Sequence, residues 1–93
     1  MPLRFEWDPE KAESNLVKHQ VSFSEAATVF GDPLSMTFCD PDHSVNEERY
    51  ITIGLSRSGQ LLIVAHTDRG DNIRIISARR ATRRERRFYG EQS

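Results

Sequence analysis

The sequence predicts an α+β fold: a short N-terminal strand, two helices, an antiparallel sheet of about four strands and a C-terminal helix, all in one domain spanning residues 1–93. Three observations carry this. Two helix-start signatures lie before Gly31, and beyond Pro33 the apolar period changes from helical to two. A long apolar hairpin from Leu61 to Arg79 then runs into an arginine-rich segment with a third helix-start signature. At 93 residues the chain is large enough for one core and too small for two.

Phe5-Glu6-Trp7 suits a short strand. Asp8-Pro9-Glu10 then reads as N-cap, first helical position and first-turn acid, predicting a helix to about His19 with a thin apolar face of Ala12, Leu16 and Val17. Ser22-Phe23-Ser24-Glu25 has capping-box spacing, with Val21 and Ala26 as its staple, and predicts a second helix from about Phe23 to Phe30 that Gly31-Asp32-Pro33 ends. Leu34, Met36 and Phe38 alternate with polar residues in a first long strand, and Asp40 to Glu48 is an acidic loop. Tyr50 to Ser56 alternates with Ile51, Ile53 and Leu55 toward the core; Arg57-Ser58-Gly59 turns the chain. Leu61 to Ala65 is apolar on both faces, as a central strand is, and Asn72 to Arg79 completes a meander. Ala81-Thr82 opens the last helix, to about Glu91, with Thr82 and Glu85 at capping-box spacing.

The net charge of −1 hides an asymmetry. Residues 1–68 carry 5 Lys/Arg against 11 Asp/Glu, whereas residues 69–93 carry 8 Arg against 3 Asp/Glu. A cationic end made only of arginine favours bidentate recognition of phosphate or carboxylate. The first ten residues contain no apolar signal region and no run approaches the roughly 20 apolar residues of a membrane helix, so a cytoplasmic protein without membrane contact is expected. The lone Cys39 fits a reducing compartment. His19, His43 and His66 lack ligand spacing, so neither a metal nor another cofactor is expected.

A hairpin turn centred on Arg69-Gly70-Asp71 would set Thr67 opposite Ile73, His66 opposite Arg74 and Leu61 opposite Arg79. Two polar clusters follow. One holds His66, Arg74 and Arg69, with Arg49 and Tyr50 arriving from the neighbouring strand; the other holds Arg79 and Arg80, joined by Arg83, Arg84 or Arg87 and by Tyr89. Plainer readings stand beside these: a surface His–Arg pair, and a solvated arginine face paired to Glu85 and Glu91, with Glu85 as a capping residue. Neither early helix is basic and the loop between them is short, which argues against a helix-turn-helix DNA binder.

From Phe5 to Tyr89, the segments FEWDPEKAESNLVKHQVSFSEAATVF, ERYITIGLS and LLIVAHTDRGDNIRIISARRATRRER, in that order, resemble the BrnT toxin family. The resemblance implies a RelE-like fold and a metal-independent endoribonuclease that inhibits translation, acting on RNA either free or on the ribosome. It also implies a BrnA-type ribbon-helix-helix antitoxin, itself a binder of operator DNA, as neutralising partner. The motif positions carried over are His66, Thr67 and Arg69; Arg79; and Glu85, Arg86 and Tyr89. Together with the cationic clusters this gives His66, Arg69, Arg79 and Tyr89 as candidate catalytic residues: His66 as acid or base, the arginines on developing charge, Tyr89 as proton donor or stacking ring. Arg74, Arg80, Arg83 and Arg84 are candidate phosphate contacts. An antitoxin element is expected to cover the cationic end. The alternative is a non-catalytic module whose arginines dock an acidic protein or nucleic acid.

Overall fold

The computed structural model describes residues 3–40 and 48–92. The elements are β1 (Arg4–Glu6), α1 (Pro9–His19), α2 (Phe23–Thr28), a 3₁₀ turn (Val29–Gly31), β2 (Met36–Cys39), β3 (Arg49–Leu55), β4 (Leu61–Arg69), β5 (Asn72–Arg80) and α3 (Arg83–Gln92). Most of the expected acidic loop after Asp40, residues 41–47 including His43, lies outside the described residues. No helix among those described is long and apolar enough to cross a membrane.

The caps read from the sequence are present. The Asp8 carboxylate accepts the Glu10 N–H at 2.9 Å, Pro9 opens α1, and Gln20 closes it in the left-handed region, its N–H returning to the Leu16 carbonyl at 2.9 Å. Ser22 accepts the Glu25 N–H at 3.0 Å. Thr82 and Glu85 form both halves of a capping box: Glu85 N–H to the Thr82 hydroxyl at 3.2 Å, Thr82 N–H to the Glu85 carboxylate at 2.8 Å.

The sheet has five strands in the order β1-β5-β4-β3-β2. It is antiparallel from β2 to β5, but β1 joins the edge of β5 in parallel, Phe5 beside Ile73. The N-terminal strand is therefore part of the sheet, reached through the α1–α2 crossover, and the sheet is mixed where four antiparallel strands are expected. One face, here the inner face, packs against α1, α2 and the 3₁₀ turn around Val21, Phe23, Ala26, Val29, Leu62, Val64, Ile75 and Ala78. Gly54 lets that turn approach: a Cβ there would meet Val29 Cγ1 at 2.8 Å and Ser35 Cβ at 2.9 Å. The outer face carries a smaller cluster, Ile53, Leu61, Ile63 and Tyr89, beneath α3. Ile51, Ile53 and Leu55 thus point away from the main core, toward α3 and solvent, and Tyr50, Thr52 and Gly54 face inward.

The apolar face expected of α1 is also reassigned. Leu16 is 50% exposed and Val17 76%, whereas Asn15 is buried. The Asn15 amide donates to the carbonyls of Val21 (2.9 Å) and Ala78 (2.8 Å) and accepts the Ala78 N–H at 3.1 Å. It takes the place of a neighbouring strand on β5 just beyond the end of β1 and ties down the α1–α2 connection. Asn15→Leu leaves three buried backbone groups unpaired, each worth about 1–3 kcal/mol. Urea denaturation should report a loss of about 3 kcal/mol or more; a loss below about 1 kcal/mol would show that α1 is held by its apolar contacts instead.

Candidate nucleic-acid interface

Residues paired across a sheet share a face and successive residues alternate, so the β4–β5 register decides what the arginines see. The turn is two residues long, Gly70-Asp71, with Gly70 at φ +61°, the glycine-first arrangement of a tight hairpin. Arg69 pairs with Asn72, Thr67 with Arg74 and His66 with Ile75. Ser77 then pairs with Ala65, leaving Ile76 as an extra residue, a β-bulge, and Arg79 lies opposite Ile63. The expected His66–Arg74 and Leu61–Arg79 pairs do not form.

The outer face gathers Arg4, Arg49, Arg69 and Arg74 at its turn end. Glu6 sits among them, accepting Asn72 at 3.0 Å and Arg74 at 2.8 Å. Those two hydrogen bonds, Asn72 first, hold its carboxyl below the usual range. Between the strand neighbours Arg49 and Arg74 lies Thr67, buried, its hydroxyl without a hydrogen-bond partner. At the other end Arg79 makes a two-pronged bond to Glu85, 2.8 and 2.9 Å. This bond is the first cause holding Glu85 at about 2, with the Thr82 cap adding to it, and it raises Arg79. Arg83, Arg84, Arg86 and Arg87 are exposed on α3. The two ends are four residues apart along β4, on the order of 13 Å, with Ala65, Ser77 and Ile51 between.

Three expected members stand elsewhere. Arg80 follows Arg79 on the strand and so faces inward, where it adds to the pull that the Ser58 and Ser56 hydroxyls exert in lowering Glu25. His66 also faces inward, 4% exposed, its ring edge-on to Phe30 (centroids 4.9 Å) and stacked with Tyr50 (5.9 Å). Its Nε2 lies 2.7 Å from the Thr52 hydroxyl, which is 2.7 Å from that of Thr37, while Nδ1 is buried without a partner. Burial lowers the imidazole pKa against the opposing pull of Asp68. The two-residue turn, one residue shorter than expected, puts His66 and its neighbour Tyr50 through the sheet from Arg74. Tyr89 is buried and donates to Asp32 at 2.6 Å, which with burial pushes the phenol up to about 12. Asp32 also accepts the N–H groups of Leu34 (2.9 Å) and Leu55 (2.8 Å); burial raises its carboxyl, but these bonds outweigh it. Tyr89 anchors α3, and its proton is committed to Asp32.

Sequence reasoning passed over Glu6 and Asn72 as site residues and had Thr67 only as a motif position, since only the parallel docking of β1 brings Glu6 to Arg74. Glu85 was legible as a cap, and its spacing from Arg79 was the one local hint of the clamp. Two roomier hollows, about 370 and 450 Å³, share Thr28 and Arg57 beside the β3–β4 turn. Several of their polar groups are engaged: Ser56 and Ser58 donate to Glu25, and the Thr28 hydroxyl accepts the Arg57 N–H at 2.8 Å.

A family model described as the ribonuclease toxin BrnT of type II toxin–antitoxin systems matches residues 7–85. Among solved structures, the crystal structure of the Brucella abortus ribonuclease toxin BrnT superposes with a TM-score of 0.67 at 20% identity, covering 88% of this chain and 100% of that one. Comparison with curated proteins gives no match.

The buried His66 makes stability depend on pH. Its folded pKa lies below the unfolded value near 6.5, so the unfolded chain takes up a proton that the folded chain resists. The native state is at full stability above about pH 6.5 and loses it as the pH falls from there toward the folded pKa, at up to about 1.4 kcal/mol per pH unit. Between pH 6.5 and 5.5 the depressed carboxylates remain almost wholly ionised in both states. His66→Gln, which still offers Thr52 a partner, should abolish the slope in urea midpoints over that window. An unchanged slope would locate the titration elsewhere.

Proposed function

Because the chain belongs to the BrnT family of ribonuclease toxins of type II toxin–antitoxin systems, we propose that it is a metal-independent endoribonuclease that cleaves RNA across the outer face of the sheet. The observation that carries this is the collection of arginines from β1, β3, β4 and β5 on that face, facing the Arg79–Glu85 clamp at its far end. Arg69, Arg74 and Arg49 hold flanking phosphates. Arg79, supported by Arg83 and Arg84, holds the scissile one. Arg80, which faces α2, is outside this track.

In the reaction the 2′-oxygen attacks the adjacent phosphorus and the bond to the 5′-oxygen breaks, leaving a 2′,3′-cyclic phosphate and a 5′-hydroxyl. One proton leaves the 2′-oxygen and one reaches the departing oxygen. Arg79 exchanges Glu85 for a non-bridging oxygen and stabilises the charge that develops there, while Glu85 keeps its bonds to the cap. The hydrogen bonds of the Thr82 cap go on lowering the Glu85 carboxyl after Arg79 has left it, which keeps it a weak base. His66 lies on the other face and the Tyr89 proton is held by Asp32. The barrier is therefore lowered chiefly by fixed positive charge, with water or a partner such as the ribosome moving the protons, and rates are modest. The cell is spared in the cytoplasm by a BrnA-type ribbon-helix-helix antitoxin that buries these arginines against carboxylates; released, the toxin inhibits translation.

A second reading, a non-catalytic module that docks an acidic protein or nucleic acid, is favoured by one observation: the described residues of this face supply cations and no neutral base. Incubating the purified chain with total RNA in EDTA separates the two. Wild type should produce 2′,3′-cyclic phosphate ends, Arg79→Ala should slow cleavage about 10²–10³-fold as for loss of one transition-state donor, and His66→Gln should cleave normally. Cleavage by Arg79→Ala at the wild-type rate would move the site elsewhere, abolition by EDTA would overturn metal independence, and RNA left intact even with translating ribosomes would favour the binding module.

A further inference from the structure

Beside the Arg79–Glu85 clamp the outer face holds a groove of about 200 Å³. Ile51, Ile53 and Ile63 floor it, Phe38 and Phe88 form its rim, and the clamp closes one end. That volume is below the roughly 300–1,000 Å³ of pockets for drug-sized ligands and suits one planar ring. The two phenylalanines are 46% and 41% exposed and come from different elements, β2 and α3. Their ring centroids are 5.9 Å apart with planes at 52°, so both offer face and edge to the groove without filling it. Arg84 lies one turn before Phe88 on the same side of α3, so a second, exposed guanidinium stands near the Phe88 rim.

We propose that this groove is a nucleobase subsite: Phe88 and Phe38 take up one unstacked base of the RNA whose phosphate Arg79 holds. The proposal rests on the ribonuclease reading above. Charge decides the occupant. An apolar side chain of a protein partner would fill the floor equally well but has no use for the guanidinium at the groove's end, whereas a nucleotide brings an aromatic ring and a phosphate at fixed separation. Base-on-aromatic stacking tolerates any sequence and adds to phosphate binding without changing its dependence on salt. The subsite also orients the chain. With one base seated, the following phosphate is delivered to Arg79 in a fixed direction, which electrostatic attraction alone does not achieve.

The test compares a short single-stranded 2′-O-methyl RNA, which lacks the attacking hydroxyl proton and is not cleaved, with a fully abasic strand of the same length, by fluorescence anisotropy on the full chain. Wild type should prefer the base-bearing strand by about tenfold or more. Phe88→Leu and, separately, Phe38→Leu should reduce that preference severalfold while leaving the affinity for the abasic strand, its salt dependence and the thermal midpoint unchanged; both positions are half exposed, so the fold survives. Binding without base preference, or a preference that both variants retain, overturns the subsite and leaves the ribonuclease reading standing. Absence of any RNA binding by wild type overturns the subsite and leaves the ribonuclease reading to the assay with translating ribosomes.

Discussion

One extra residue in one strand decides whether the two ends of this sheet show their arginines on the same face. Ile76 has no partner on β4, and the register shifts by one between the His66–Ile75 and Ala65–Ser77 pairs. Because side chains alternate with period two, a slip of one exchanges the faces. With the two-residue Gly70-Asp71 turn on one side of the bulge and the long apolar pairing on the other, Arg74 and Arg79 come to the same face although five positions separate them. Regular pairing would put them on opposite faces. The inner face receives His66 and Ile75, which can be buried, and the outer face receives Arg69, Arg74 and Arg79; Arg80, next along the strand, falls on the inner side and stays exposed.

The cations are not left bare. Glu6 holds Arg74 and Glu85 holds Arg79, in pairs whose side chains remain roughly a third exposed. Ion pairs of that exposure contribute little net stability, on the order of 0–1 kcal/mol, so exchanging a carboxylate for a phosphate costs the fold little. Glu85 is suited to the exchange because it also caps α3, and the Thr82 N–H keeps it in place when Arg79 departs. The helix cap and the clamp share one carboxylate, so α3 stays docked in either state, with Tyr89 bound to Asp32 as a second anchor.

Local chemistry was legible in the sequence and long-range chemistry was not. The caps at Asp8, Ser22 and Thr82 depend on residues within a turn of one another, and each formed as its spacing implied. The strands followed from period-two alternation. What failed were choices between two sides of an element. On α1 the apolar pair Leu16 and Val17 looked like the buried stripe, yet Asn15 turns inward because it satisfies backbone groups of β5 that no strand covers. That demand is created 63 residues away and leaves no mark near Asn15. The hairpin failed for a similar reason. Both turn lengths fit Asp68 to Asn72, and the choice is made by packing: His66 between Phe30 and Tyr50, Ile75 in the main core. Arg69, Arg74 and Arg79 do share the outer face, whereas His66, grouped with Arg74 on the assumption of a three-residue turn, and Arg80 face inward, and Tyr89 is held down on Asp32.

A site of this composition places its control outside itself. Arginine does not titrate in the physiological range, and the one imidazole in the hairpin is sealed on the other face, so proton concentration has little hold on the outer face. Occupancy is the remaining lever. On the proposed reading, phosphate, the carboxylates of Glu6 and Glu85, and the carboxylates of an acidic partner compete for the same guanidinium groups, and the winner is set by how many contacts each makes at once. A single internal carboxylate on each key arginine is enough to hold the folded face in order and too little to resist a polyanion. On the proposed reading, that graded competition lets one surface accept RNA and yet be closed by a protein that brings several carboxylates together, without any change in the fold beneath it.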